Sequence, residues 1–173
     1  MKLSLALLST AAALALTVPA SASVIVAGSG WQSDQVNAAD TNSLNSPWSF
    51  TVTGPAIFSL TDDFVVGDIY KLFDSSMTLL ATSTFFAGTG IQGTGSFGPA
   101  WLNPAYSKLA FSVGAGSYSF IVQGDGAGGL PAGFGVRLDS ALPEPASWAL
   151  MLMGFGAMGL MLRRGRRTSV LAA

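Results

Sequence analysis

The chain has 173 residues, enough for one ordinary domain with short appendages, and half of them are hydrophobic against a tenth charged. It holds no Cys and no His, which excludes disulfides, thiol nucleophiles, Ser-His triads and zinc sites built on either residue. The formal net charge of −1 hides a split: Lys2 and Arg163, Arg164, Arg166 and Arg167 lie at the ends, leaving the middle three basic side chains against eight aspartates, a net −5. An acidic middle without a basic cluster cannot neutralise phosphates, so no nucleic-acid partner is expected.

At the N-terminus Lys2 precedes an apolar run from Leu3 to Val18, then Pro19-Ala20-Ser21-Ala22. A basic start, an apolar stretch and small residues at Ala20 and Ala22 form a secretory signal peptide, residues 1–22, cut after Ala22. An uncleaved anchor is the alternative, but no charged stop follows the run. The absence of a Cys behind it excludes lipid attachment through an N-terminal thiol.

Residues 23–142 read as short strands separated by turns. Trp48, Phe50 and Val52 alternate with polar neighbours up to Gly54-Pro55, and Ala56, Phe58 and Leu60 do so up to Asp62-Asp63. Phe64 to Val66 is a third apolar run. Ile69 to Phe73 and Thr78 to Thr82 flank Asp74-Ser75-Ser76 as a hairpin. Leu109, Phe111 and Val113 lead through Gly114-Ala115-Gly116 to Tyr118, Phe120 and Val122, a second expected hairpin, and Phe134 to Leu138 is the last strand. No segment carries a sustained helical stripe, while residues 28–45 and 93–106 read as loops. The expected fold is all-β: an antiparallel, jelly-roll-like β-sandwich, flanked by the signal peptide and a C-terminal transmembrane helix.

The middle carries little that speaks for catalysis. It has no Glu, its Asp residues stand mostly at turns where they bond their own backbone, and neither Lys71 nor Lys108 sits in a Ser-x-x-Lys arrangement. No enzyme activity, cofactor or metal is expected. Calcium remains an alternative through Asp34, Asn37, Asp40, Asn42 and Asn45, or through Asp62, Asp63, Asp68 and Asp125, although the first set lacks the Gly and distal Glu of an EF-hand loop. Trp31, Trp101 and Tyr106, in loop-like stretches, are the candidate sugar contacts: Trp31 and Trp101 exposed together would favour binding, and both buried would favour a scaffold role.

A second apolar run, Ala146 to Leu162, follows, with Trp148 at its start and Arg163, Arg164, Arg166 and Arg167 behind it. At ~1.5 Å per residue it reaches about 25 Å, short but sufficient for a membrane helix whose arginines stay cytoplasmic and whose preceding domain lies outside. Gly154-Phe155-Gly156-Ala157-Met158-Gly159 spells G-x-G-x-x-G, but no strand precedes it and no acidic partner can follow in the few residues left, so the dinucleotide reading is discarded.

Before the run stands Leu142-Pro143-Glu144-Pro145-Ala146-Ser147-Trp148-Ala149, where two prolines hold the backbone extended and remove donors. A Pro143-Glu144-Pro145 motif, then Trp148-Ala149, an apolar helix and an arginine cluster closely resemble, over residues 143–167, the C-terminal sorting signal of PEP-CTERM proteins; residues 168–173 are a further tail. The resemblance implies a substrate of exosortase, a transpeptidase-like membrane enzyme of Gram-negative bacteria that make extracellular polysaccharide. The protein would be held transiently in the inner membrane, cut near Pro143-Glu144-Pro145, and moved to the cell surface or matrix. A sortase signal of the Leu-Pro-x-Thr-Gly type is disfavoured, because Pro145 and Ala146 stand where Thr and Gly belong. The region Phe58 to Thr82 also loosely resembles exported domains joined to this tail. Two readings follow: a non-catalytic surface or biofilm-matrix component associated with exopolysaccharide, or a carbohydrate- or calcium-binding module delivered the same way.

Overall fold

The computed structural model describes residues 22–88, 93–141, 149–159 and 161. The expected signal peptide up to Ser21, residues Leu142 to Trp148 with the Pro-Glu-Pro motif, and the four arginines therefore lie outside the described residues.

Among the described residues up to 141, ten strands and one short helix follow in order: β1 (Ser23–Val24), β2 (Gln32–Val36), β3 (Thr41–Asn42), β4 (Trp48–Val52), β5 (Ala56–Asp62), β6 (Tyr70–Asp74), β7 (Leu79–Thr82), α1 (Phe97–Leu102), β8 (Lys108–Val113), β9 (Gly116–Gly124) and β10 (Ala132–Ser140). They form two sheets. The smaller is ordered β2-β10-β5-β8; the larger is ordered β1-β4-β9-β6-β7, with β3 also paired to β9. Every pairing is antiparallel except β1 with β4. From β4 onward the chain crosses between the sheets at each step except the β6–β7 hairpin, the connectivity of a jelly roll.

Alternation along each strand turns one set of side chains inward. Trp48, Phe50, Tyr70, Leu72, Phe120 and Val122 from the larger sheet meet Val36, Phe58, Leu60, Phe134, Val136 and Leu138 from the smaller in one buried core. Phe120 is its hub, with its ring centroid 5.2 Å from Phe50, 5.4 Å from Phe58 and 5.7 Å from Phe111. Burying each such side chain contributes ~1.5–3 kcal/mol.

Several sequence expectations need correction. Residues 28–45, expected as a loop, hold β2 and β3, and residues 93–106 hold α1. The run Leu109 to Val122 does not form a hairpin: β8 pairs with β5 in one sheet and β9 with β4 and β6 in the other, so Gly114–Gly116 carries the chain across the core. Alternation fixes which side chains face inward, but not which neighbour takes the backbone hydrogen bonds. Phe64 to Val66 is not a strand either. Asp62 Oδ1 accepts the Phe64 N–H at 2.9 Å and turns the chain, leaving Phe64 and Val65 exposed, and Gly67 continues the turn at φ 118°.

Candidate functional site

The outer face of the smaller sheet holds the densest cluster of unusual side chains. On β10, Phe134, Val136 and Leu138 point inward, so Gly133, Gly135, Arg137 and Asp139 point out. A Cβ on Gly133 would lie 2.5 Å from the Phe64 ring, and one on Gly135 2.6 Å from the Phe97 ring. Bare backbone at these two positions is what lets both rings lie on the sheet, and with Phe97 it seats α1 there.

At the next outward position, the Arg137 guanidinium lies 4.5 Å from the Trp31 ring centroid and 6.0 Å from that of Trp101. Arg137 Nε stands 2.6 Å from Asp139 Oδ2. The Trp31 and Trp101 centroids are 5.7 Å apart, and Phe97 stands 6.1 Å from Trp31. Both tryptophans are half-buried. The sequence-predicted pair is thus brought together, but with one ring partly covered by a cation rather than as two open platforms. The Trp31 indole N–H is buried with no hydrogen-bond partner among the described residues, an arrangement that costs ~1–3 kcal/mol when left unmet.

Beside Trp31 opens a groove of about 620 Å³, lined by Trp31, Ser33, Asp63, Phe64, Ser96 and Phe97 among others. Asp63 is held rigidly at its wall, accepting from the Thr94 N–H at 2.7 Å and the Thr94 hydroxyl at 2.5 Å. The third sequence candidate does not join the site. Tyr106 is 1% exposed and packs with Val66 and Ala100 in a second small core, so its ring is not available for stacking. Sequence reasoning missed Phe64, Phe97 and Arg137. The i, i+4 spacing of Phe97 and Trp101 was a usable signal for α1, but Gly98 and Pro99 between them masked it.

The aspartates named as calcium candidates are engaged by protein donors. Asp34 accepts from the Trp48 indole N–H at 3.1 Å and from the N–H groups of Gln35 and Asn45; Asp68 accepts the Gly128 N–H and Asp125 the Ile69 N–H. Among the described residues no three carboxylates are grouped so as to hold a metal ion. Asp62 differs from the rest: it is fully buried, and its Oδ2 has no partner among the described residues. Burial, reinforced by the nearby Asp68 and opposed by the Phe64 N–H, pushes its carboxyl up to about 7. Burial likewise raises Asp68, and it raises the Tyr70 phenol well above its ordinary value, where Asp62 adds to the effect. Tyr70 donates its hydroxyl to the Gly133 carbonyl at 3.0 Å.

At the opposite end of the sandwich the chain leaves the fold. β10 pairs with β5 as far as Ser140 with Ala56, and the Ala141 N–H then donates to the Pro55 carbonyl at 2.8 Å. Beyond the undescribed segment, residues 149–159 are helical and exposed, Ala149 first and Leu150, Leu152, Met153 and Phe155 among them. Among the described residues no helix is long and apolar enough to cross a membrane.

Among solved structures the chain is similar to a pre-peptidase C-terminal domain of a collagenase from Bacillus anthracis, at 13% identity over 70% of this chain and 98% of that one, with a TM-score of 0.44. It is also similar to a carbohydrate-binding module of lichenase 5A from Cellvibrio mixtus, solved with cellotriose, at 13% identity over 66% and 89%, with a TM-score of 0.32. No residue role passes from either to this chain. Comparison with curated proteins gives no match. Residues 141–167 match the PEP-CTERM protein-sorting motif, which begins where the hydrogen bonding of the sandwich ends. The chain therefore carries a PEP-CTERM protein-sorting motif at residues 141–167.

Proposed function

We propose that this is an exported, non-catalytic surface or extracellular-matrix protein, sorted by an exosortase-type enzyme and associated with exopolysaccharide. The observation that carries the reading is the sorting motif at residues 141–167, attached directly to a compact β domain. In this account the signal peptide delivers the chain across the inner membrane, residues 146–162 hold it there, and Arg163 to Arg167 keep the end cytoplasmic. Pro143-Glu144-Pro145 is then presented to the partner enzyme, whose chemistry does the work; the residues of this chain are substrate. The acidic middle suits an extracellular polymer matrix and repels nucleic acid.

Replacing Pro143 and Glu144 by alanine in the producing cell tests this. The wild-type chain is expected at the surface or in the medium in shortened form, and the variant in the membrane fraction at precursor size. Equal release of both would contradict the reading.

The groove beside Trp31 favours a second role compatible with the first, contact with the polysaccharide itself. Aromatic rings, a fixed carboxylate and serine hydroxyls are the groups that stack on and hydrogen-bond to a sugar ring. Calorimetric titration with the host's own exopolysaccharide is expected to give binding that Phe64→Ala weakens; no heat with the wild-type protein would end this second role.

A further inference from the structure

We infer that the end of the sandwich from which the tail departs is the docking surface for the processing enzyme. The inference rests on the sorting reading above. Ala141 is still hydrogen-bonded to Pro55, so Leu142 alone separates the folded domain from Pro143. Even fully extended at ~3.3–3.6 Å per residue, Glu144 cannot lie more than about 11 Å from Ala141. An enzyme cleft that closes on Pro143-Glu144-Pro145 must therefore overlie the wall from which the tail emerges.

The strand registers define that wall. Ala56 pairs with both Ser140 and Val113, and Val52 pairs with Gly116, which gathers the turns Thr53-Gly54-Pro55 and Gly114-Ala115 around the exit point. Thr53, Pro55, Gly114, Ala115 and Ser140 are exposed there, small and uncharged. A Cβ at Gly54 or Gly114 would meet nothing within 4 Å, so the surface is open. Most carboxylates stand at the other end, Asp40, Asp63, Asp68 and Asp125 at the far ends of the same strands and in the turns beyond them, while Asp139, next to Ser140, is paired with Arg137.

The membrane lies on the same side. Ala146, where the apolar run begins, is five residues past Ala141, within ~18 Å at full extension. A domain leashed this closely presents the end from which the tail departs to the bilayer and to an enzyme embedded in it. The rim of small residues borders a groove of about 370 Å³ lined by Thr53, Pro55, Ser140 and Ala141 among others, and the enzyme can approach the motif over it without unravelling β10.

The test is made on the full-length chain in the producing cell, following conversion of precursor to shortened product after a pulse of synthesis. Thr53→Trp with Ala115→Trp places two bulky rings on the rim at exposed positions, and Ala39→Trp places one at the far end as a control. The rim variant is expected to be converted several-fold more slowly than wild type, and the Ala39 variant at the wild-type rate. Inserting ten Gly/Ser residues after Ala141, with an end-to-end reach of roughly 17 Å, is expected to restore the rim variant's rate by lifting the motif clear. A rim variant converted at the wild-type rate, or a slowed one that the spacer fails to restore, would overturn the docking surface. A wild-type chain that is never shortened would instead overturn the sorting reading, and the docking surface with it.

Discussion

Replacing Phe120 by alanine is expected to destabilise the sandwich by ~3–5 kcal/mol, a large share of the stability of an ordinary domain. Phe120 is 3% exposed and touches aromatic rings from both sheets, Phe50 and Tyr118 in one and Phe58 and Phe111 in the other. The cavity left behind cannot close without moving a sheet, because each neighbouring ring is fixed by its own strand. Urea unfolding followed by tryptophan fluorescence reads the effect through Trp48, which pairs with Phe120 across β4 and β9. Phe85→Ala is the matched comparison, since Phe85 is 54% exposed, and it is expected to change stability by no more than ~0.5 kcal/mol. Equal effects from the two substitutions would mean that the core is not built around Phe120.

A second large effect is expected from pH. Asp62 titrates at about 7 in the folded chain because it is buried, against 3.8 for the ordinary carboxyl of the unfolded one. Between those values the folded state keeps a proton that the unfolded state has released, so stability falls as pH rises from about 4 to about 7, and is flat in this contribution above that. Three pH units at ~1.4 kcal/mol each give a loss of about 4 kcal/mol. Asp68, raised for the same reason, acts in the same direction. Asp62→Asn keeps a side-chain carbonyl for the Phe64 N–H and carries no charge. It is expected to remove most of the slope and to raise the melting temperature at pH 8. Denaturation midpoints measured from pH 4 to 8 check this; a wild-type stability that rises over that range would contradict the burial of Asp62 as a neutral group.

The sequence made some of this architecture legible and concealed the rest for identifiable reasons. β4, β5, β6 and β10 were readable because apolar residues alternate with polar or small ones and turn residues bound them, and β7 because it returns from the Asp74-Ser75-Ser76 turn. β2 was not, because Gln32–Val36 is polar even on its inward face, where Asp34 occupies a buried slot to receive the Trp48 indole N–H. A buried carboxylate satisfied by partners distant in sequence looks, from composition alone, like a loop residue. The crossing between β8 and β9 was concealed because alternation carries no information about pairing, and the Phe64 turn because an exposed apolar run lying on Gly133 reads like a buried one.

The candidate groove was half legible. Trp31 and Trp101 were identified, and they do meet, but the glycines of β10 that seat Phe64 and Phe97 leave no pattern until the strand register is known. Arg137 could not be foreseen as the cation over Trp31, because their contact depends on the pairing of β10 with β2. The sorting tail stood apart from these difficulties. Its signal is a local order of residue types, Pro143-Glu144-Pro145, an apolar run and arginines, which needs no tertiary information to be read.

The intact mass of the protein recovered from all fractions of the producing cell, surface and membrane, tests the central claim most directly, when compared between cells with and without the processing enzyme. The account predicts a C-terminus near Pro143-Glu144-Pro145 when the enzyme is present, and one extending to Ala173 when it is absent. Surface protein that retains Ala173 in the presence of the enzyme would contradict it.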